Sequence, residues 1–124
     1  MATYTNAGLA ALTTILNAAT WYLAVGSGTT AEAVTQTALV TEITTGGLAR
    51  ASATSSRVTT TKTNDTLRLT KTWTASASNT INESGIFDTA TTGGVMYVRD
   101  KLGTGRSVTS GDSFTATLDQ IYAN

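Results

Sequence analysis

The sequence predicts an all-β domain: an antiparallel β-sandwich or jelly-roll-like barrel of six to eight short strands, with one short N-terminal α-helix. Three observations carry this. Threonine fills about a quarter of the chain, and branching at Cβ favours a pleated strand over a helix. Apolar residues recur in short runs parted by glycine-rich turns, the pattern of many brief strands. Helical spacing is clear only between Asn6 and Ala18. At 124 residues the chain fits one domain, residues 1–124, with a helix or arm over 1–19 and the sandwich over 20–124.

In the helix, Leu9, Leu12, Ile15 and Leu16 fall at helical spacing, and Thr5 or Asn6 can cap the first turn. About three turns do not persist alone in water, so this face must pack on the sheet or on another subunit. Trp21 to Val25 reads as a buried first strand, closed by Gly26 and Gly28. With no third glycine, no lysine and no following helix, the Gly-Ser-Gly is a turn and not a phosphate loop. Residues 31–45 admit a short helical turn, an irregular loop or a strand; a long surface connection is favoured, which in a compact domain is more often functional than idle. Gly46 and Gly47 open a weakly alternating strand toward Val58, with a bulge near Ser55 and Ser56.

The centre of the pattern is a hairpin over 57–74 that turns at Asn64 and Asp65. Leu67, Leu69 and Trp73 face inward there, with Lys71 interrupting the dry face. The next strand, Thr80 to Asp88, is broken by Gly85; Ile81 and Ile86 lie on opposite parities, as a bulge requires. Val95 to Val98 is a central strand interrupted by Gly103 and Gly105. The last strand, Asp112 to Tyr122, turns Phe114, Ala116 and Leu118 inward.

Composition narrows the function. Eight basic residues balance eight acidic ones, so no basic stripe awaits nucleic acid. Without cysteine there is no disulfide or thiolate site, and without histidine the usual general base near neutrality is missing. No apolar span suits a membrane, and the N-terminal residues lack a signal peptide's basic region. These residues predict a non-enzymatic module with no cofactor, no metal, no nucleic-acid partner and no membrane partner, made in the cytoplasm. Glu83 interrupts a buried strand and needs a cation; Arg57 is the candidate partner, with Arg50 the alternative. Asp88, Asp100 and Asp112 lack the local spacing of a calcium loop. Trp21 and Trp73 are either core pieces or a sugar-stacking platform, and their apolar neighbours favour the core.

Six segments in one order, at 5–10, 22–30, 37–43, 47–50, 57–61 and 81–87, resemble a family of small structural proteins of tailed bacteriophages. Its members include capsid cement or decoration proteins and proteins described as tail-fibre components. The resemblance implies a virion protein made in the bacterial host cytoplasm. The expected role is capsid cement: a homo-oligomer, expected as a trimer, that grips the major capsid protein on the capsid surface through many weak contacts. The alternative is a tail or tail-fibre component that binds other tail proteins or host glycans.

Overall fold

The computed structural model describes residues 2–122. Helix α1 (Asn6–Ala18) is followed by β1 (Tyr22–Gly26), β2 (Ala51–Ser52), β3 (Thr54–Val58), β4 (Thr66–Thr74), β5 (Asn79–Phe87), β6 (Met96–Val108) and β7 (Ser113–Ile121). They form two antiparallel sheets, ordered β2-β1-β5-β6 and β3-β4-β7. The sheets pack as a sandwich. Leu23, Val25, Ile81 and Ile86 from the first sheet meet Leu67, Leu69, Trp73, Ala116 and Leu118 from the second in one apolar core. Nothing closes the two sheets into a barrel among the described residues.

The strand expected to bulge near Ser55 instead changes sheets. β2 pairs with β1 and β3 pairs with β4, and the switch occurs at Ala53, whose N–H still donates to the Trp21 carbonyl. The second expected irregularity is real but displaced: the β5–β6 register shifts between Ile81 and Glu83 and again between Ile86 and Phe87, while Gly85 pairs regularly on both sides. Ile81 and Ile86 lie in the same core despite their odd separation. β6 is one strand, but it lies at the edge of its sheet and not at the centre, and its pairing with β5 is interrupted over 102–105, which face Asn82 alone, as Gly103 and Gly105 led one to expect.

The central hairpin pairs Thr54 with Thr70 through Val58 with Thr66, and its loop is seven residues long, 59–65. Asn64 takes the left-handed backbone expected of it, at φ 54°. Asp65 staples the loop: its carboxylate accepts the N–H groups of Thr60, Thr61 and Lys62 and the Thr66 hydroxyl. Burial opposes ionisation of this carboxyl, yet the four donors together hold it far below the ordinary value of 3.8. A depressed folded-state value contributes stability that is complete above pH 3.8 and is lost as pH falls through the folded-state value. Wild type is therefore expected to melt well above Asp65→Asn at pH 7, with the gap closing toward pH 2. Thermal melts of both proteins across that range check this; an equal gap at both ends would show that the charge plays no part.

Helix α1 docks through Leu9, Thr13 and Leu16, so most of the expected leucine face is covered, rotated enough to leave Ile15 outside. Leu9 and Thr13 are buried and Leu16 is half-buried against the main core; Leu12 is half-buried, and Ile15 is 68% exposed. Polar ties set this rotation. The Thr13 hydroxyl donates to the Asn64 carbonyl at 2.6 Å, Arg57 donates to Ala10 O at 2.9 Å and to Thr13 Oγ1, and the Ser55 hydroxyl donates to Asn17 O. Trp21 Nε1 adds a bond to the Leu16 carbonyl near the helix end. Both tryptophans lie in the core, and the Trp73 N–H reaches the Ala49 carbonyl at 2.8 Å.

Candidate functional site

The outer face of the four-stranded sheet is covered, and the cover is the long connection between β1 and β2, residues 27–50. It lies down through three apolar side chains and two ion pairs. Leu39 packs with Ala24 and Phe87 on the outer face, while Ile43 and Leu48 turn into the main core. The Ile43 N–H donates to Val25 O, and Gly26 forms a single bridge with Glu42.

Beneath the connection Glu83 is fully buried and paired with Arg99 at 2.9 Å, with the Arg99 side chain only 3% exposed. The pair also fastens the cover. Glu83 accepts the Thr41 N–H, and Arg99 donates to the Thr30 carbonyl and to Gln36 Oε1. Neither arginine proposed from the sequence meets Glu83: Arg57 docks the helix, and Arg50 serves a second cluster. Arg99 escapes a reading of the sequence because Val95–Val98 is apolar on both faces. Pairing the chain about its 89–94 turn finds it, since Gly85 opposes Arg99 and Glu83 opposes Lys101.

Gly26 and Gly28 make room for this carboxylate. A Cβ on Gly26 would press on Thr41 O and Glu83 Oε1, and one on Gly28 would overlap Glu83 Oε2 and Val40 Cβ. Gly28→Ala is expected to cost about 1–3 kcal/mol as overpacking, measured by urea unfolding. An unchanged midpoint would mean that the connection shifts freely.

Arg50 gathers the other end of the cover. Its side chain is 4% exposed, forms a bidentate pair with Glu42 at 2.7 and 3.2 Å, and stacks 3.6 Å from the centre of the Phe87 ring. It also donates to the carbonyls of Thr89, Thr91 and Gly93, so the loop between β5 and β6 is ordered around one guanidinium. Neither charge cluster holds a nucleophile beside a base. No group of three or more acidic, histidine or cysteine side chains among the described residues could hold a metal ion.

A groove of about 350 Å³ lies open between the turn at 32–36 and the start of β6. Its exposed wall is apolar: Val34 is fully exposed, and Tyr97 is 56% exposed while standing edge-on to Trp21 at 5.0 Å. Its polar groups are mostly spent on each other. Glu32 Oε1 accepts the Lys101 N–H, and Gln36 is bonded at both ends of its amide. Tyr97 also borders a small apolar cavity of about 50 Å³ beside Leu16 and Trp21. The groove can therefore bind apolar groups and has no arrangement for bond-making chemistry.

The sequence profile of the family described as Podophage GP4 fiber I protein gp80 matches residues 3–124. The chain belongs to that family. It is thus a bacteriophage structural protein, as the resemblance implied, and the fibre description bears on the tail-fibre alternative. No curated protein and no solved structure matches it. No helix is long and apolar enough to cross a membrane among the described residues.

Proposed function

We propose that this member of the podophage fibre family is a tail-fibre component that acts by binding alone and contacts a neighbouring tail protein through the Val34–Tyr97 groove. The family match over 122 residues carries the reading. Exposed apolar side chains on a rigid frame support it, since aromatic residues at a pocket mouth are where binding energy concentrates. Capsid cement, with a homotrimer gripping the major capsid protein, fits the fibre description less well.

Copy number per virion separates the two: a dozen or fewer copies match a tail fibre, and hundreds match a capsid coat. Particles lacking the protein should hold their DNA under heat yet adsorb poorly to cells. Early DNA release with normal adsorption would return the role to the capsid. Tyr97→Ala should leave the fold intact and lower incorporation into particles roughly tenfold or more, the effect of losing one central anchor of about 2 kcal/mol.

A further inference from the structure

Three of the four sheet edges are guarded. β2 is only two residues long, α1 is bonded along β3 through Ser55 and Arg57, and the 30–36 turn lies against β6, where the Lys101 N–H donates to Glu32 and Arg99 donates to the Thr30 carbonyl. β7 has no such guard. It is nine residues long, pairs with β4 in unbroken register, and holds no lysine, proline or bulge; its one charge, Asp119, is spent on Arg68. The Tyr122 N–H donates to Asp65 O and the Ala75 N–H to Asp112 O, so even-numbered residues bond β4, while Ser113, Thr115, Thr117, Asp119 and Ile121 turn their backbone groups outward. Among the described residues no acceptor meets these five N–H groups.

The same margin of the sandwich is short of a strand. The chain passes from β2 to β3 at the opposite margin, and counted from there the larger sheet has four strands and the smaller three, so β6 has none facing it. The inner side of β6 is correspondingly underfilled. A cavity of about 170 Å³ lies between its Asp100, Leu102 and Arg106 and the Phe114–Leu118 stretch of β7, and a second of about 50 Å³ lies between Val98 and Gln120. Val98 and Leu102 on one side, and Phe114 and Tyr122 on the other, are left partly buried along this seam.

We infer that the β6–β7 seam is an acceptor groove for an extended segment of a neighbouring protein, which adds to the outer edge of β7 as a fourth strand and turns every second side chain beneath β6. Charge fixes the chemistry of that segment. Asp100 and Arg106 both line the larger cavity, and neither has an ion-pair partner among the described residues. Burial and the Glu32 charge push the Asp100 carboxyl above its ordinary value, as in a site that lacks a cation. The two residues stand opposite Ser84 and Ile81, three residues of β5 and so about 10 Å apart. A strand antiparallel to β7 runs in the direction of β6 and meets Asp100 first. Its inward positions are therefore basic, apolar and acidic in that order, with the apolar one between Leu102 and Ala116. None of this chain's own eight basic residues is followed four positions later by an acidic one, so the segment belongs to another protein. Binding here does not depend on the Val34–Tyr97 groove or on where in the virion the protein sits.

The probe is a blocked nine-residue peptide with threonine at the even positions and valine, lysine, valine, glutamate and valine at the odd ones. It should bind and slow deuterium exchange at the Thr115, Thr117 and Asp119 amides roughly tenfold or more. A peptide with lysine and glutamate exchanged should bind roughly tenfold more weakly, and Asp100→Asn should narrow that difference. Thr117→Pro removes one outward N–H and leaves the β4 ladder whole, so it should keep the melting temperature and lose the peptide. Should this variant unfold, methylating alternate backbone amides of the peptide removes the same kind of bond from the other side. No protection from either peptide at millimolar concentration overturns the acceptor groove, and equal binding of the two overturns the charge assignment. A free protein that is already multimeric, with these amides protected, puts a second copy in the seam and overturns the foreign segment.

Discussion

Replacing Glu83 with Gln lowers the unfolding free energy by about 3–5 kcal/mol, the cost of leaving a buried cation without its counter-charge. The surroundings argue for the upper part of that range. Arg99 Nε has no hydrogen-bond partner and lies out of reach of solvent, so the guanidinium has no spare water contact to fall back on. The amide that replaces the carboxylate still offers an oxygen to Thr41 or Arg99, but as a dipole and not as an ion. A drop of this size is about a fifth or more of the stability of an ordinary domain. The companion experiment is Glu83→Gln/Arg99→Met, which removes the stranded charge and should recover much of the loss. The exposed Arg68–Asp119 pair, bidentate at 2.8 Å but 44% and 33% exposed, supplies the contrast: breaking it should cost under about 1 kcal/mol. If urea melts give the two pairs the same weight, the buried pair is not what secures the connection over the sheet.

Trp73→Ala is expected to cost about 3–5 kcal/mol, because it removes the largest inward side chain of β4 and the surrounding core cannot close the gap. Trp73 touches Phe114 across the β4–β7 pair with ring centres 6.2 Å apart. Its N–H also reaches Ala49 near the end of the long connection. Trp73→Phe separates these roles: most of the ring remains, the bond is lost, and about 1–2 kcal/mol should go with it. Hydrogen exchange in the Phe variant should quicken around residues 46–50 and stay slow in β4. Uniform quickening through both sheets would mean that the tryptophan acts through packing only.

The elements legible in the sequence are those whose own residues decide the matter. Alternation alone places Leu67, Leu69 and Trp73, and Phe114, Ala116 and Leu118, on the inner faces, and a threonine cap with helical spacing locates α1. What the sequence hides depends on pairing between distant segments. The stop at Ala53 is a choice between two sheets, which no local pattern encodes. Leu9 and Leu16 mark the docked side of the helix, but the rotation that leaves Ile15 outside is set by Thr13, Arg57 and Ser55, residues that read as surface. Glu83 visibly needs a cation, but identifying Arg99 requires the β5–β6 register. The covering role of residues 27–50 is visible only as length, and its fastening by Leu39, Thr41 and Glu42 is a tertiary fact.

The loop at 59–65 has a mechanical meaning. Helix α1 is bonded to it through Thr13 and Asn64, and the last residue described, Tyr122, is bonded to it through the Asp65 carbonyl. A load applied to the helix and to Tyr122 is therefore shared by these seven residues with the direct ties of α1 to Ser55 and Arg57 and with the β4–β7 ladder. The loop resists as a unit, since the Asp65 carboxylate ties three of its amides together. Under tension the molecule should yield first where helix and strand leave this clasp, sparing the two sheets. In single-molecule pulling, Asp65→Asn should lower that first yield force and leave the later rupture of the sandwich where it was.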